Sequence, residues 1–331
     1  MVLVTGASGL IGSFIVRQLL YNGYQVMALR RETSDLSLLQ DIEDQVDWHV
    51  ADILDIINLR NVVEKADYVI HAAGMVSYDQ KDKDKLYQVN VEGTRNLVNA
   101  CLENDIQKFI LISSIATYAN QTVTGQLRDV NETTPQKMES LGTNYAKAKY
   151  LAEMEAWRGK IEGLFTMVVN PSVVLGPGNW HESSTRLFKY AYDEKKFYIH
   201  GAMNYVDVRD LAAIVAKLLS SGRDGDQYIV SAGSICYRDL FTKMAECFNK
   251  KPPSVSVGKF MLQIGYWLDQ LRSLITLRRP VITKEVKSAG TNRIFYRNDK
   301  IKQDLYPDFR SIDDTIRWSC EQLKAKAKEI A

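Results

Sequence analysis

The sequence predicts an α/β protein in which a doubly wound parallel sheet carries a smaller C-terminal lobe. Over the first 170 residues, short runs rich in Val and Ile alternate with longer amphipathic stretches. A glycine-rich turn follows the first of these runs, and the later part of the chain contains more loops and prolines. Apolar strands that alternate with helices indicate a parallel sheet covered on both faces. Such sheets bind their ligands at the carboxyl ends of the strands.

The individual elements follow from these patterns in chain order. The predicted strands are Val2–Val4, Gln25–Leu29, Asp47–Val50, Tyr68–His71, Phe109–Ile112 and Phe165–Val169, and the predicted helices are Leu10–Tyr21, Asp82–Glu103 and Tyr145–Arg158. A length of 331 residues suggests about two domains. We assign residues 1–170, with a returning strand and helix at about 204–231 (Tyr205–Val208, then Arg209–Leu219), to the sheet domain. Residues 171–203 and 232–331 form the predicted smaller lobe.

Two helices are predicted in that lobe. Ser311 and Asp314 have the spacing of a capping box, which would open a last helix running to about Lys328. A second helix is indicated by an apolar stripe at helical spacing, made of Phe260, Ile264, Trp267, Leu268, Leu271, Leu274 and Ile275. Packing of this stripe inside the lobe is the simplest interpretation. A lid over an apolar substrate, or a membrane-surface helix near Arg272, Arg278 and Arg279, is the alternative.

Composition excludes several classes of protein. A net charge of +2 is too small to favour nucleic acid or an anionic membrane as the main partner. The four cysteines are scattered without a CxxC pair, and the four histidines lack metal-ligand spacing, so no disulfide framework and no metal site is expected. The apolar N-terminus contains the glycine turn and lacks a basic leader, and no apolar run reaches the roughly 20 residues that span a bilayer. We therefore expect a cytoplasmic protein.

The glycine turn, Thr5–Gly12, predicts a dinucleotide-binding site. Gly6, Gly9 and Gly12 follow a strand and open a helix, with Ser8, Leu10 and Ile11 between them. Glycine permits a tight turn and close backbone approach, and the start of the helix favours the pyrophosphate charge. The alternative is a turn that binds nothing. The sheet domain is thus predicted to be a Rossmann-type NAD(P)-binding domain.

Residues after the next strands indicate which dinucleotide binds. An acidic residue after the second strand would hold the ribose hydroxyls of NAD, but this chain has Arg30 and Arg31 there. A guanidinium can bind a 2′-phosphate, so NADP(H) is favoured, although NAD(H) is not excluded and Arg30 could instead stack on adenine or face solvent. Further cofactor contacts are expected from Asp52 with Ile53 and from the small residues Ala72, Ala73 and Gly74. His71 is interpreted as a structural residue.

Tyr145 and Lys149 predict the chemical site. They are four residues apart on a predicted helix and share a face. Lowering a phenol pKa by roughly three units requires about 4 kcal/mol, which a nearby ammonium and an oxidised nicotinamide could supply. Ser114, after the fifth strand, is placed to hold the substrate oxygen. Asn90 is placed to orient the helix backbone or a proton-relay water. The alternative for the Tyr/Lys pair is a solvated helix face.

Several motifs resemble the extended short-chain dehydrogenase/reductase family over nearly the whole chain. They are TGASGLIG, HAAG, VNVEGT, the serine pair at 113–114, YAKAK, NPSVVLGPG and NYVDVRDLA. The dihydroflavonol-4-reductase and hydroxysteroid-dehydrogenase branch is the most similar. The resemblance implies a triad of Ser114, Tyr145 and Lys149, with Lys149 also holding the nicotinamide ribose. It further implies cofactor contacts from Pro171, Ser172, Val173 and Val174.

Departures from the family pattern rank the hypotheses. Sugar-nucleotide epimerases usually carry arginine at Asn170 and a basic residue at Asn204, and dehydratases carry an acidic pair where Ile115 to Thr117 stand. An NADP-dependent reductase or dehydrogenase of a small apolar or aromatic carbonyl or alcohol is therefore the leading hypothesis. A nucleotide-sugar epimerase with tightly held NAD is the second, and a non-catalytic dinucleotide sensor is the third. A homodimer is compatible with the sequence.

Overall fold

The computed structural model describes residues 1–118, 128–258, 294–306 and 308–330. Within them the strands are β1 (Val2–Thr5), β2 (Val26–Arg30), β3 (Asp47–Val50), β4 (Tyr68–His71), β5 (Lys108–Ile112), β6 (Arg128–Val130), β7 (Thr166–Pro171), β8 (Val173–Leu175), β9 (Phe197–Ile199), β10 (Ala202–Asp207), β11 (Gln227–Val230), β12 (Gly233–Cys236), β13 (Val255–Val257) and β14 (Ile294–Tyr296). The α-helices of the same residues are α1 (Leu10–Tyr21), α2 (Ile56–Val63), α3 (Lys83–Tyr87), α4 (Gly93–Glu103), α5 (Asn144–Ile161), α6 (Thr185–Tyr192), α7 (Val208–Ser221), α8 (Tyr237–Phe248), α9 (Asp299–Asp304) and α10 (Ile312–Ile330).

Seven parallel strands form the large sheet, in the order β11-β7-β5-β4-β1-β2-β3. The first six, taken along the chain, agree with the predicted strands to within one or two residues. The order reverses direction beside β1, since the chain adds strands on one side of β1 and then on the other. A ligand site is expected at such a switch point, outside the carboxyl ends of the strands. The predicted doubly wound α/β sheet is confirmed.

Alternate side chains of the strands face two separate apolar layers. On one face, Val2 and Val4 are fully buried under helices α1 and α7. On the other face, Leu3 and Phe109 are fully buried under α2, α4 and part of α5. Because both faces are covered, every central strand is apolar on both sides, which explains its continuous run of Val, Ile and Leu.

A smaller lobe is built around the three-stranded sheet β12-β10-β8. The sequence placed the strand near Tyr205 in the sheet domain, and the structure corrects this. Tyr205 pairs with Val173 and with Gly233 in the smaller sheet. The later strand β11 pairs with β7 in the large sheet, and helix α7 packs against that sheet. A local pattern identifies a strand, but the partner of that strand is set by distant residues, which explains the error. Helices α6, α8 and α10 pack around Phe188, Phe241 and Ile316 in this lobe.

The helix predicted at Asp82–Glu103 is interrupted. A 3₁₀ turn over Gln80–Asp82 precedes α3, and a π-helical turn over Gln88–Glu92 separates α3 from α4. Single π-helical turns are rare and occur often at functional sites. The interruption places Asn90 at the bend, with its side chain buried.

The C-terminal helix begins where the capping pattern predicted. The hydroxyl of Ser311 accepts a hydrogen bond from the backbone N–H of Asp314 at 3.2 Å, and α10 starts at Ile312. The apolar stripe predicted at 260–275 lies outside the described residues. Among the residues that are described, no helix combines the length and apolar character needed to cross a membrane.

Candidate active site

The glycine turn joins β1 to α1 in a conformation that requires glycine. Gly6 has a φ of +69°, and a Cβ there would lie 2.5 Å from the backbone nitrogen of Ala73. A Cβ on Gly12 would overlap the carbonyl oxygen of Gly6. The two outer glycines therefore allow the turn to pack against itself and against the end of β4. Gly9 is exposed, and the backbone atom nearest to a Cβ there is 3.4 Å away, so its outer side is open to a ligand.

The N-terminus of α1 has the features of an anion site. Its N-cap residue is Gly9, which offers no side chain to the first N–H groups, and the first turn contains no acidic residue. The first N–H groups of an α-helix lack acceptors within the helix, and the helix dipole favours negative charge there. Ser8, Leu10 and Ile11 are half-buried around this end. These residues fit a dinucleotide pyrophosphate.

The two arginines after β2 differ in their surroundings. Arg30 is half-buried at the carboxyl end of the strand, and its Nε is buried without a hydrogen-bond partner in the described part of the chain. Arg31 is exposed, and its backbone N–H donates to the hydroxyl of Ser34 at 2.9 Å. A buried donor without a partner is uncommon and indicates a group that a ligand completes. Arg30 is thus the better placed of the two.

The ends of the neighbouring strands β3 and β4 carry further residues that are predicted to contact the cofactor. Asp52, after β3, accepts a hydrogen bond from the N–H of Leu54 at 2.9 Å and remains half-buried. Ile53 is buried against Gly93 of α4, so its side chain packs on the domain. After β4, Ala72 and Ala73 are half-buried and Gly74 is exposed.

Gly74 also borders the chemical site. A Cβ there would lie 3.1 Å from Oδ1 of Asn90 and 3.2 Å from Nζ of Lys149. A larger residue would therefore push against both groups. The residues predicted to contact the cofactor and those of the predicted chemical site therefore adjoin each other at Gly74.

On the far side, Pro171 ends β7, and Val173 and Val174 begin β8. Ser172 lies between the two strands, where its N–H donates to the carbonyl of Val230 at 2.9 Å. Its hydroxyl is buried and has no partner among the described residues. This is a second unsatisfied polar atom within the residue set predicted to bind the cofactor.

Tyr145, Lys149 and Ser114 lie close together in the structure. Thr143 caps α5 by accepting a hydrogen bond from the N–H of Ala146 at 2.9 Å, and Tyr145 and Lys149 follow one turn apart. The ammonium of Lys149 donates to the carbonyl oxygen of Ile112 at 2.9 Å, at the end of β5. Ser114 follows that strand, and its side chain is close enough to Tyr145 to lower the pKa of the phenol. A phenol, a hydroxyl and an ammonium therefore converge at one strand end.

Burial governs the pKa of both groups on α5. It raises the pKa of Tyr145, and the hydrogen bond with Ser114 lowers it in part. The lowering predicted from the sequence invoked both a nearby ammonium and an oxidised nicotinamide; in this chain alone the Lys149 ammonium is bonded to Ile112, and burial is the larger effect. Burial also lowers the pKa of Lys149 to about 8, against which the carboxylate of Glu153 acts. Within this chain alone, Tyr145 is therefore held in its protonated form.

Asn90 binds the loop that follows β4. Its Oδ1 accepts from the N–H of Met75 at 2.7 Å, and its Nδ2 donates to the carbonyl of Met75 at 2.9 Å. The sequence predicts that Asn90 orients the helix backbone or a proton-relay water, whereas its amide binds the backbone of the loop at Met75. The π-helical turn places this amide beside Gly74 and the ammonium of Lys149.

Sequence reasoning missed a buried polar cluster behind Lys149, which is centred on Glu153. Glu153 is fully buried and accepts hydrogen bonds from Ser113 and from Asn170, each at 2.5 Å. Asn170 also donates to the carbonyl oxygen of Ser114 at 3.1 Å. A signal was present, since Glu153 continues the four-residue spacing of Tyr145 and Lys149.

The position of Asn170 corrects one sequence argument. From the sequence, the absence of arginine at this position predicts that a substrate diphosphate would lack a charge partner. Asn170 is fully buried and donates a hydrogen bond to Glu153, so its side chain contacts the protein interior. Asn204, the other such position, donates to the carbonyl of Ile294 at 2.7 Å. Asn170 therefore does not bear directly on the choice between reductase and epimerase.

No cluster of three or more His, Cys, Asp or Glu side chains in the described ranges has the arrangement of a metal site.

The family model described as NAD dependent epimerase/dehydratase family matches residues 2–231. A putative dihydroflavonol 4-reductase from Synechocystis sp. is 28% identical over 325 residues, covering 95% of this chain and 93% of that protein. Cinnamoyl-CoA reductase 1 from Oryza sativa subsp. japonica is 30% identical over 265 residues, covering 76% of this chain and 77% of the relative.

Solved structures are similar over the full length. The crystal structure of gox2253 has a TM-score of 0.84 and 28% identity, and the match covers 99% of both chains. A UDP-glucose 4-epimerase from Thermotoga maritima has a TM-score of 0.79 with 18% identity, covering 98% of this chain and 99% of the other. At that lower identity the likeness shows the fold alone.

Proposed function

The chain belongs to the NAD dependent epimerase/dehydratase family, and from this premise we propose that it is an NADPH-dependent reductase of an apolar or aromatic carbonyl compound. It is an NAD(P)-dependent enzyme of the extended short-chain dehydrogenase/reductase type, as its reductase relatives are. The observation that carries the proposal is the convergence of Tyr145, Ser114 and Lys149 at the end of β5, next to the glycine turn and the β4 loop.

The site residues divide the work of a carbonyl reduction. A bound NADPH supplies the hydride. Ser114 is placed to hold the carbonyl oxygen by a hydrogen bond, and Tyr145 to donate the proton that the oxygen takes up. Burial raises the pKa of Tyr145, so its phenol carries that proton at neutral pH. The ammonium of Lys149 would stabilise the phenolate that remains, and in the resemblance it also holds the nicotinamide ribose.

Preference for NADPH rests on Arg30. Its buried Nε lacks a partner within the described residues, and it stands at the carboxyl end of β2, where an acidic residue would favour NAD. A 2′-phosphate would provide a charged acceptor for this guanidinium. The exposed Arg31 is placed to add a second positive charge.

An apolar or aromatic substrate is supported by the side chains beside Tyr145. The ring of Tyr78 meets that of Tyr145 edge-on, with centroids 5.7 Å apart, and both Val76 and Tyr78 are exposed. An exposed aromatic ring at a catalytic phenol offers a surface on which a planar group can pack. The names of the relatives are consistent with such substrates, namely a dihydroflavonol and a cinnamoyl thioester.

A cytoplasmic location is proposed from the cysteines. All four are free thiols, and Cys101 and Cys320 are buried where they serve as small apolar residues. Unpaired cysteines are typical of a reducing compartment.

A cofactor analysis followed by a substrate screen tests the proposal. The purified protein is denatured and any released dinucleotide is identified, after which NADPH oxidation is followed with aromatic and aliphatic aldehydes, ketones and acyl-CoA thioesters. We expect no tightly held NAD, and consumption of NADPH that depends on Tyr145. Stoichiometric NAD released from the protein would favour the epimerase instead. Binding of NADPH without turnover of any carbonyl would favour the dinucleotide sensor.

A further inference from the structure

A buried hydrogen-bond chain connects the glycine turn to the π-helical turn. It passes through Thr5 at the end of β1, His71 at the end of β4, and Thr94 on α4. The Nδ1 of His71 is 2.7 Å from the hydroxyl of Thr5, and its Nε2 is 2.9 Å from the hydroxyl of Thr94. All three side chains are no more than 1% exposed. The imidazole thus contacts two hydroxyls, that of Thr5 on one side and that of Thr94 on the other.

The remaining bonds fix the direction of every hydrogen. The hydroxyl of Thr94 donates to the carbonyl oxygen of Asn90 at 2.6 Å, because a carbonyl can only accept. Its single proton is then used, so it must accept from Nε2–H of His71. A neutral ring that carries its proton on Nε2 has a bare Nδ1, which accepts from the hydroxyl of Thr5. The Thr5 oxygen in turn accepts from the N–H of Ala73 at 3.3 Å.

The alternative protonation states conflict with this chain. An imidazolium would present a second N–H, but its environment opposes charge. Burial is the main cause that lowers the pKa of His71 to about 3, and the Lys149 ammonium is the charged group that acts in the same direction. The ring also lies 6.2 Å from that of Phe109, a further apolar neighbour. The ring is therefore neutral over the whole physiological range.

We infer that His71 is a positioning residue, whose neutral Nε2–H form joins the dinucleotide turn to the Asn90 turn in one directed hydrogen-bond chain. At one end, Thr5 precedes Gly6, and Ala73 is the residue against which Gly6 packs. At the other end, Asn90 holds Met75 beside Gly74 and Lys149. The geometry of the cofactor turn and that of the proton-donating site are thus set by the same chain. The inference rests on the proposed function in treating the first site as a cofactor site.

The protonation state can be measured without any substrate. Two-dimensional NMR that correlates the ring nitrogens with the ring protons reports the tautomer of each histidine. A His71→Gln variant identifies the signal in the native spectrum. We expect the Nε2–H form, unchanged between about pH 5 and pH 8. A protonated ring in this range, or the Nδ1–H form, would overturn the inference.

Threonine variants then test the direction of the chain. Thr94→Val removes the acceptor of the Nε2 proton, so the ring is free to carry its proton on Nδ1 and donate to Thr5. For the imidazole, Thr5→Val removes only the hydroxyl that donates to Nδ1, so the Nε2–H form of His71 should persist. The matched variants Thr94→Ser and Thr5→Ser retain the hydroxyls and should keep the native tautomer. A purely structural threonine would produce no such asymmetry.

Affinity and turnover complete the test. We expect Thr94→Val to weaken NADPH binding, measured by calorimetry, and to lower turnover, each by about tenfold. Thr94→Ser should restore both to within about twofold, and Thr5→Val provides the second reading if Thr94→Val does not fold. Unchanged tautomer and affinity in a folded Thr94→Val variant, or unchanged affinity in Thr5→Val if only that variant folds, would overturn the inference. If the native protein binds no NADPH, the proposed function fails, while the tautomer measurement still decides the role of His71.

Discussion

The ammonium of Lys149 and the carboxylate of Glu153 are buried one helical turn apart on α5. The bonded partner of the ammonium is the neutral carbonyl oxygen of Ile112. Burial lowers the pKa of Lys149 to about 8, and Glu153 is the group that opposes this effect. The charge of Lys149 at neutral pH therefore depends in part on the buried carboxylate of Glu153.

We expect activity to be lost as pH rises through about 8, because Lys149 loses its proton there. Glu153→Gln keeps an oxygen for Ser113 and Asn170 but removes the negative charge. Without that charge the pKa of Lys149 falls further, so the loss should begin at a pH lower by about one unit. The measurement is the pH profile of kcat/KM, together with the pH dependence of NADPH affinity.

Glu162→Gln is the matched control for this experiment. Glu162 lies at the exposed end of α5 and pairs with Arg158 at 2.7 Å, so its removal should leave the profile unchanged. A uniform decrease at every pH in Glu153→Gln, with the alkaline limb in its native place, would show that Glu153 acts only through packing.

Replacing Tyr145 by Phe should lower turnover by about 10²–10⁴-fold, because the variant lacks only the proton donor. NADPH affinity should be nearly unchanged, since the ring remains in place beside Tyr78. Steady-state kinetics and calorimetry on the same preparation give the two values. Tyr150→Phe, on the same helix, is the control and should retain native turnover. Retention of most of the rate in Tyr145→Phe would remove the phenol from the mechanism.

Arg30 should determine the choice of cofactor. One charge-assisted hydrogen bond to a 2′-phosphate implies a preference for NADP(H) of about 1.5–3 kcal/mol, or roughly 10–150-fold in affinity. Arg30→Leu should abolish the preference and Arg30→Asp should reverse it, as measured by calorimetry with NADP⁺ and NAD⁺. Arg238→Leu, an exposed arginine of α8 in the smaller lobe, serves as the control. Equal or tighter binding of NADH by the native protein would reject this assignment.

Two glycines with positive φ should respond differently to alanine. Gly23, between α1 and β2, has a φ of +81° and open space around it, so Gly23→Ala should cost only the backbone strain of about 1–2 kcal/mol. Gly6→Ala adds a clash with the backbone of Ala73, which raises the expected loss to about 2–5 kcal/mol. Denaturant unfolding measures both, and equal losses would contradict the tight packing described for the turn.

The sequence was sufficient for the main sheet and for the proximity of Tyr145 and Lys149 on one helix face. Strands with Val and Ile at successive positions and glycine at the first turn follow from local rules, and Tyr145 and Lys149 share a face because of helical periodicity alone. Local rules did not place the strand near Tyr205, because its pairing with Val173 depends on how the chain leaves β7.

The electrostatics of the site were also beyond the sequence. The expected lowering of the Tyr145 pKa ignored the cost of burial, which depends on packing from α3 and the β4 loop. The two hydroxyl partners of His71, Thr5 and Thr94, are 66 and 23 residues away, so no local pattern connects them with the ring. The same reason hid the contact of Asn170 with Glu153. Each of these features is a long-range contact between groups that local patterns treat separately.

The return of the chain to the large sheet limits how the protein can be divided. After β7 the chain builds β8 to β10, and only then supplies α7 and β11, which cover α1 and extend the sheet beyond β7. A fragment ending at residue 171 would leave the apolar side of α1 and one edge of β7 bare, and so would be prone to aggregate. Exchange of the smaller lobe with that of a relative would therefore need two separate grafts, one on each side of residues 208–230.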